Sequence, residues 1–349
     1  MQIFSVGGSV RDELLGRGAQ DRDFVVLQAS EEEFLSRFPE AKRVGRQHPV
    51  YIHKGREYTL SHSSTIQEDL RQRDLTINAL ARDVYGRYYG LPDSFSDLRL
   101  RILRPVHPDN FFRDPLRVLR AARMAACLPQ FIVHPELETV LRDLAKSGSL
   151  GRVASERAGR EAVKACSCPN PGRFLEVLCR NRCLSPWLGP LSQVRDLGSA
   201  SWREEPLLSR QAATVMDRVT GEPTTVWMAL CHCLGSLSCA SEPSSIWEAQ
   251  AASLARDIGQ RLRLSKRLIV TGEAAAGWIT AGGNYPRLPT DLQVDLLLGL
   301  YARSLVRPML RLIQAVAKLD LQKQVYRDLE LVLSVKLPPE YRKLGPLSG

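Results

Sequence analysis

Hydrophobic and polar positions follow two different periods along this chain. In its N-terminal third, apolar and polar residues alternate in four short runs, at residues 2–6, 21–27, 49–53 and 57–61. An alternation of period two is typical of half-buried strands. Two short segments with helical spacing, 10–15 and 31–38, lie between these runs. The pattern predicts an N-terminal sheet with helices packed on it.

Most of the remaining chain carries apolar residues at every third or fourth position, which is typical of amphipathic helices. Such segments occupy residues 135–144, 153–165, 172–183, 210–219, 225–234, 246–262, 291–305 and 308–335. No strand candidate of weight follows residues 131–133. The chain is therefore predicted to be α+β, with sheet and helices first and helices alone afterwards.

Composition describes an ordinary globular protein with a strongly basic balance. The 349 residues are 44% hydrophobic and 25% charged, and the chain is longer than a single core usually grows. A net charge of +10 makes a nucleic acid a candidate partner, although a basic enzyme without a polyanionic ligand fits equally well. Because neither a signal peptide nor an apolar run of membrane length is evident, a cytoplasmic location is expected.

A glycine turn joins the first predicted strand to the first predicted helix. Backbone N–H groups at such a turn attract phosphate, and a nearby guanidinium can add a bidentate contact. Gly8 and Arg11 are therefore candidate phosphate ligands. A plain connection between a strand and a helix would show the same two glycines.

Two aspartates stand two residues apart at the start of the next strand. Strand alternation places Asp21 and Asp23 on one face, about 6 to 7 Å apart at the backbone. Carboxylates at this spacing can share divalent ions, and Mg²⁺ prefers such hard ligands. Glu57 begins a strand that could lie beside them and is a candidate third carboxylate. An exposed polar strand end would also explain each of these residues when it is taken alone.

Residues 71–81 have helical spacing and are predicted to form a helix. Its apolar residues would face the core, and Asp74 and Asn78 would share another face. With Arg73 they could bind a ribose and phosphates. Capping and solvation are the ordinary explanation for such residues in isolation.

Another helix is predicted to begin at Asp114, which would be its N-cap. Pro115 would take the first helical position. Arg117, Arg120 and Arg123 follow at intervals of three residues. Neighbouring arginines of this set could line a cleft, although an arginine run on a helix is usually a solvated face.

The order of these motifs is more specific than any one of them. The chain carries Gly-Gly-Ser-Val-Arg-Asp with a Leu-Leu-Gly ending, then Asp-Arg-Asp, then Arg-Asp-Leu-Thr-Ile-Asn-Ala, then Asp-Pro-Leu-Arg-Val-Leu-Arg-Ala-Ala-Arg. In this order they resemble the class II tRNA nucleotidyltransferases, which are the bacterial CCA-adding enzymes and their poly(A) polymerase relatives. The resemblance is strong to about residue 130 and weaker, though colinear, beyond it.

The resemblance implies a nucleotidyltransferase head of the polymerase β type, followed by an all-helical neck, body and tail. The corresponding domains are residues 1–110 for the head with its metal site, 111–170 for a neck that recognises the base, and 171–349 for a body and tail that bind tRNA. The implied reaction is the template-independent addition of CMP or AMP, from CTP or ATP, to the 3′ end of tRNA. The tRNA 3′-hydroxyl attacks the α-phosphate, and pyrophosphate leaves.

The resemblance also implies roles for single residues. Asp21 and Asp23 would hold two Mg²⁺ ions, and Gly8 and Arg11 would bind the triphosphate. Sugar and phosphates would be bound by Arg73, Asp74 and Asn78, the base edge by Asp114 and Arg117, and further parts of the nucleotide by Arg120 and Arg123.

Three departures from the family pattern affect these expectations. Arg113 replaces the Glu that usually precedes the base-reading Asp. The connection between the strand at Glu57 and the helix predicted from residue 71 is short, whereas family members that switch from C to A addition carry a longer loop there. Cys233 replaces the Asp of a His-Asp pair at His232, so the phosphohydrolase region of some members is degenerate here and no such activity is expected.

The short connection favours the hypothesis that the chain adds two cytidines and leaves the adenosine to a separate enzyme acting on the same tRNA. Complete CCA addition is the alternative. A poly(A) polymerase would share every head motif, and an RNA-binding module with a relic head is the non-enzymatic alternative. A relic would have no need of both aspartates, and both are present.

Overall fold

The computed structural model describes residues 1–18, 23–45, 49–192, 207–237 and 244–335. By its internal packing the chain forms two units. Unit 1 consists of Met1–Ala162 and Val177–Pro186, and unit 2 consists of Val163–Glu176 and Trp187–Gly349.

Unit 1 begins with a mixed seven-stranded sheet and three helices. In chain order the elements are β1 (Gln2–Val6), α1 (Gly8–Leu14), β2 (Asp23–Leu27), α2 (Glu31–Arg37), β3 (Lys42–Val44), β4 (Val50–His53), β5 (Arg56–Leu60), α3 (Ile66–Arg71), β6 (Leu80–Asp83) and β7 (Tyr88–Gly90). The strand order is β3-β4-β5-β2-β1-β6-β7. Neighbours are antiparallel except β2 and β5, which are parallel.

Both faces of this sheet are covered, because alternate residues of its central strands are buried on opposite sides. Phe4 and Val25 pack with Leu70 of α3 on one face. Val26 and Tyr58 pack with Phe34 of α2 on the other. Helix α2 starts where Ser30 and Glu33 form a capping box.

The rest of unit 1 is mainly helical. It contains α4 (Ser94–Leu100), β8 (Ile102–Leu103), α5 (Pro108–Arg113), α6 (Leu116–Cys127), β9 (Ile132–Val133) and α7 (Pro135–Lys146), and it is followed along the chain by α8 (Ser155–Ala165) and α9 (Gly172–Arg180). Strands β8 and β9 form a separate parallel pair.

In its described part, unit 2 contains no strand. The helices are α10 (Leu207–Arg218), α11 (Pro223–His232), α12 (Ser244–Arg261), α13 (Lys266–Gly283), α14 (Thr290–Ala302), α15 (Val306–Ala317) and α16 (Gln322–Ser334). Helix α11 is central, and its residues from Thr225 to His232 are all buried. A mixed sheet with helices, followed by helices alone, confirms the predicted α+β class.

The helix predicted over residues 71–81 is wrong. Helix α3 ends at Arg71, a 3₁₀ turn covers Thr76–Asn78, and β6 begins at Leu80. Ile77, Leu80 and Ala81 are fully buried, but the turn and the strand reach the core in different ways. Their spacing in the sequence is also the spacing of buried residues on a helix, which is why a helix was predicted where a turn and a strand occur.

Three other differences concern helices and strands. The segment predicted as one helix from 308 to 335 forms α15 and α16, because Lys318 adopts a left-handed conformation with φ 57°. Helix α13 was missed, since its Gly and Ala residues give little contrast between apolar and polar faces. Elements β3, β7, β8, α3, α4 and α5 were also missed. No helix in the described residues is long and apolar enough to cross a membrane.

Candidate active site

One end of the large sheet collects the beginnings of three strands and the end of a fourth. Val6, the last residue of β1, pairs with Asp23 of β2 on one side and with Ala81 of β6 on the other. Asp23 in turn pairs with Glu57 of β5. The glycine turn follows Val6 directly, so it lies at the same end of the sheet.

Asp23 and Glu57 are register partners in the parallel pair of β2 and β5. Register partners project to the same face, and their strands are roughly 4.8 Å apart. Both residues are exposed. Asp21 lies outside the described residues, so its predicted place beside Asp23 stays a prediction. The candidate third carboxylate therefore lies on the strand next to Asp23 and on the same face.

Gly7 has a conformation that favours glycine, with φ 71°. Its N–H donates to the Leu80 carbonyl at 2.9 Å, which ties the turn to the start of β6. A Cβ on Gly7 would lie 3.0 Å from Nη1 of Arg73. The absence of a side chain thus lets the Arg73 guanidinium rest on the turn, while Asp69 binds Arg73 from the other side at 3.0 Å. Gly8 follows as the first residue of α1.

Arg11, Asn78, Asp74 and Arg120 form a hydrogen-bonded chain, which we name the Asp74 network. Arg11 Nη1 donates to Asn78 Oδ1 at 2.7 Å, and Asn78 Nδ2 donates to Asp74 Oδ1 at 3.0 Å. Arg120 Nε donates to Asp74 Oδ2 at 2.9 Å. The network links the first helix, the turn before β6 and helix α6, which are far apart in sequence.

The Asp74 carboxylate is almost completely buried, with 4% of its surface exposed. Burial by itself would raise its pKa, but the charge of Arg120, the Asn78 amide and the Leu75 N–H outweigh that effect and lower the pKa to about 2. Asp74 is therefore a permanent anion near neutral pH, and it fixes both Asn78 and Arg120.

Arg11 is itself nearly buried, and it is held on two sides. Its Nε and Nη2 donate to the Asp12 carboxylate at 2.9 and 3.0 Å. Nη1 also contacts Met124 Sδ at 3.3 Å. The guanidinium of Arg11 therefore orients Asn78 in this structure. Its contact with the phosphates of a nucleotide stays a prediction.

The turn that carries Asn78 is held by a buried ion pair. Thr76 Oγ1 donates to Asp97 Oδ2 at 2.8 Å, and Arg104 Nε donates to the same oxygen at 3.0 Å. Asp97 is 2% exposed. This support explains how a short 3₁₀ turn keeps a fixed geometry without the hydrogen bonds of a longer helix.

The three predicted arginines of α6 have different surroundings. Arg120 binds Asp74, and Arg123 Nε donates to Glu161 Oε2 at 2.5 Å. The Nη1 atom of Arg117 is buried and has no hydrogen-bond partner among the described residues. Burial lowers the pKa of Arg117, while the nearby carboxylates Asp74 and Asp114 oppose that effect. A buried donor without a partner is costly, and it points to a ligand.

Asp114 stands between α5 and α6. Its Oδ1 accepts the Leu116 N–H at 3.3 Å, although the N-cap of α6 is Pro115 and not Asp114 as predicted. Arg157 of α8 binds both carboxylate oxygens, at 3.3 and 2.9 Å. Bidentate pairs of this kind fix direction as well as distance. Asp114 is thus oriented from α8, and Arg113, which replaces the family's Glu, is exposed.

Sequence reasoning missed Gly7, Arg157 and Glu161. Gly7 could have been identified from the sequence, because a tight turn from a strand into a helix often needs a positive φ, which glycine adopts without strain. Arg157 and Glu161 are four residues apart on a correctly predicted helix and so share a face. Their partners, Asp114 and Arg123, could be identified only from the packing.

The degenerate His-Asp position lies in unit 2. His232 is buried at the end of α11, and its Nδ1 bonds the Ala229 carbonyl. Cys233 is a buried free thiol. Among the described residues no group of three His, Cys, Asp or Glu side chains could hold a metal ion.

Comparison with solved structures shows the fold class. The chain is similar to the Bacillus stearothermophilus CCA-adding enzyme in complex with CTP, with a TM-score of 0.68 and 24% identity over 95% of this chain and 78% of that one. It is also similar to the Thermotoga maritima CCA-adding enzyme complexed with tRNA, with a TM-score of 0.63 and 20% identity over 100% of this chain and 83% of that one. The chain therefore has the fold of CCA-adding enzymes.

Sequence comparison gives the family. A multifunctional CCA protein of Azoarcus sp. is 32% identical over 293 residues, covering 75% of this chain and 70% of that protein. One of Pseudomonas aeruginosa is 43% identical over 200 residues, covering 51% of this chain and 48% of that protein. The chain belongs to the multifunctional CCA protein family, although it spans only about half the length of the Pseudomonas aeruginosa protein. No model of a known protein family matches it.

Proposed function

We propose that the chain transfers nucleotides from nucleoside triphosphates to the 3′ end of tRNA. The observation that carries the proposal is the pairing of Asp23 with Glu57 at the same end of the sheet as the glycine turn. Carboxylates on one face beside a phosphate-sized turn are what nucleotidyl transfer needs. Family membership and the net charge of +10 support tRNA as the acceptor.

The residues at this end of the sheet fit a divalent cation. Asp23 and Glu57 offer hard oxygen ligands from adjacent strands, both exposed to solvent. Asp21, two residues before Asp23, is proposed as a further ligand. When bound, Mg²⁺ would supply Lewis-acid stabilisation of the charge on the reacting phosphate and on the attacking tRNA hydroxyl.

The chain's own residues bind and orient the nucleotide. In the proposal the triphosphate lies against Gly8, Arg11 and Arg73, where the turn lets a guanidinium approach the backbone. Asn78, held by Asp74 and Arg11, contacts the sugar. A site whose side chains are already fixed loses little free energy in ordering them.

The base is read by Asp114 and Arg117 in this proposal. Arg117 brings a buried donor that lacks a protein partner, and a base acceptor would supply that partner. Arg157 holds Asp114 in one direction, so its carboxylate presents acceptors in a fixed plane. Arg120 and Arg123 support the site through Asp74 and Glu161.

We further propose that the chain adds two cytidines and leaves the adenosine to a separate enzyme. Strand β5 and helix α3 are joined by only five residues, 61–65. This connection is pinned, because Ser61 Oγ donates to Asp69 at 2.9 Å and the Ser64 N–H to Glu68 at 2.8 Å. A segment this short and this constrained has little freedom to reshape a nucleotide site between two bases.

The test is incorporation into tRNA that lacks its 3′ CCA, with CTP, ATP or both, in the presence of Mg²⁺. Transfer of CMP to give a product ending in CC is expected. A product ending in CCA would refute the two-cytidine proposal and keep nucleotidyl transfer. Extension of unrelated RNAs with ATP alone would show a poly(A) polymerase instead.

Asp23→Asn tests the carboxylate site in the same assay. It should reduce incorporation by about 100-fold or more, because an amide is a poor ligand for a hard cation, while tRNA binding by filter retention stays intact. The matched control is Glu32→Gln, which removes one exposed carboxylate on α2. Full incorporation by Asp23→Asn would contradict the proposed site.

A further inference from the structure

The outer strands of the large sheet expose one of their two faces to solvent. On the other face, Tyr51 of β4 and Tyr58 of β5 are buried with Phe34 of α2. Side chains of a strand alternate between the two faces, and on the exposed face Ile52 is 38% accessible and Val44 is 52% accessible. Grouped apolar residues that remain exposed are typical of a binding surface. We call this side of β3, β4 and β5 the open face, and its residues are Lys42, Val44, Val50, Ile52, Glu57 and Thr59.

The open face is continuous with the carboxylates of the candidate active site. Glu57, the register partner of Asp23, is also the partner of Ile52 on β4. Ile52 is in turn the partner of Lys42 on β3. Register partners project to the same face, and with neighbouring strands about 4.8 Å apart, Ile52 lies about 10 Å and Lys42 about 14 Å across the sheet from Asp23. All four residues are exposed, so they form one solvent-accessible row.

The two sides of Asp23 offer different surroundings to a substrate. On one side Asp23 pairs with Val6, which leads directly into the glycine turn proposed for the triphosphate. On the other side it pairs with Glu57 and so adjoins the open face. Nucleotidyl transfer needs the attacking and the leaving oxygen roughly in line, on opposite sides of the reacting phosphate. With the triphosphate at the glycine turn, the attacking end of the RNA therefore approaches from the open face.

The chemistry along the row matches the end of an RNA strand. Lys42 is exposed and pairs with no carboxylate among the described residues, so its charge is available to a phosphate. Ile52 offers apolar surface to the flat side of a base or a ribose. A terminal nucleotide carries its free 3′-hydroxyl and its 5′ phosphate on opposite sides of the ribose. The order of carboxylates, apolar residue and lysine is therefore the order of hydroxyl, ribose with base, and phosphate in that nucleotide.

We propose that the open face binds the last nucleotide of the acceptor strand of tRNA. Its 3′-hydroxyl would lie at Asp23 and Glu57, its ribose and base on Ile52, and its 5′ phosphate at Lys42. This inference rests on the proposed nucleotidyl transfer, and it adds Ile52 and Lys42 as binding residues for the RNA acceptor.

The first test is the initial rate of CMP incorporation by the full chain, with tRNA and CTP varied separately. Ile52→Thr keeps a β-branched residue in the strand, and it should raise the KM for tRNA by about fivefold, because apolar contact with the nucleotide is lost. The KM for CTP should not change, and Ile52→Val should restore the KM for tRNA. Ile132→Thr is the matched control, since Ile132 is 67% exposed on β9 and should leave both values unchanged. An unchanged KM for tRNA in Ile52→Thr, or an equal rise of both KM values, would overturn the proposal.

Lys42→Gln tests the phosphate contact through its dependence on salt. Loss of one contact to a single-stranded phosphate should weaken tRNA binding and reduce the slope of log affinity against log salt concentration by about 0.7. Lys146→Gln removes the same charge from an exposed position of α7 and should leave the slope unchanged. Equal slopes for wild type and Lys42→Gln would overturn the proposal.

Photocrosslinking locates the RNA end without depending on transfer. The probe is tRNA that lacks its CCA and carries 4-thiouridine as its last nucleotide, irradiated in complex with the full chain and mapped by mass spectrometry. Crosslinks are expected in β3 and β4. Crosslinks only elsewhere, together with CMP incorporation, would overturn this inference and keep the proposed function, whereas crosslinks in β3 and β4 without incorporation would refute the proposed function and keep the binding face. Self-association that Ile52→Thr abolishes, measured by sedimentation, would assign the open face to a second copy of the chain and overturn the inference.

Discussion

Removing the charge of Asp74 should destabilise the protein by an amount that depends on pH. In Asp74→Asn the side chain keeps its size but can no longer balance Arg120, which binds it at 2.9 Å. The pKa of Asp74 is lowered from 3.8 to about 2 in the folded chain. That difference corresponds to about 2.4 kcal/mol of stability at neutral pH.

The sign follows from the direction of the shift. A carboxyl whose folded pKa lies below its unfolded pKa stabilises the fold above the unfolded value, and it loses that stabilisation as the pH falls through the folded value. From the two values, the contribution falls from about 2.4 kcal/mol at pH 7 to about 1.3 kcal/mol at pH 3. The difference in free energy of unfolding between wild type and Asp74→Asn should therefore become smaller by the same amount between pH 7 and pH 3.

The assay is calorimetric unfolding of the full chain between pH 7 and pH 3. At pH 7 the transition of unit 1 should move down by about 5 to 10 °C. Asp143→Asn is the control, since it breaks an exposed pair with Lys146 and should cost less than about 1 kcal/mol. Equal stability of wild type and Asp74→Asn, or a difference that does not change with pH, would refute the assigned charge balance.

Two other predictions concern unit 2. Gly172→Ala should destabilise unit 2 by about 2 kcal/mol or more, because the new Cβ would lie 2.2 Å from the Ala213 carbonyl oxygen. All five tryptophans belong to unit 2. Tryptophan fluorescence during heating therefore measures the loss of stability of this unit. Gly189→Ala, which has open space around it, is the control, and equal shifts for both variants would contradict the steric argument. Burial raises the pKa of Cys233 to about 12 and that of Cys231 well above its usual value, so both thiols should resist alkylation at pH 8 until the chain is unfolded in urea. Mass spectrometry of the labelled peptides decides this, and labelling of native protein at either site would disagree with the packing.

Much of the fold could be predicted from local sequence. The strands β1, β2, β4 and β5 followed from alternation, because the central strands bury one residue in two on each face. Most of the long helices followed from their apolar spacing. Helix α13 did not, since glycine and alanine bury well without forming a contrasting polar face.

The candidate site was predictable in its residue types but not in its connections. The order of motifs identified Asp23, Arg73, Asp74 and Asn78, although the helix assumed for the last three was wrong. A 3₁₀ turn keeps Asp74 and Asn78 within hydrogen-bond distance at 3.0 Å, so the two side chains lie together although the helix face predicted for them does not exist.

The sequence by itself determined the elements and the chemistry they carry: a glycine turn, carboxylates at strand starts, and arginines on a helix. These depend on neighbours within a few residues, where backbone geometry sets which side chains share a face. Only the tertiary structure decided that Glu57 lies beside Asp23, that Arg157 holds Asp114, and that Arg117 keeps a buried donor without a partner. Those facts depend on the pairing of β2 with β5 and on the packing around α6, which join residues tens of positions apart. No local period encodes such contacts, because they are set by the burial of the whole unit.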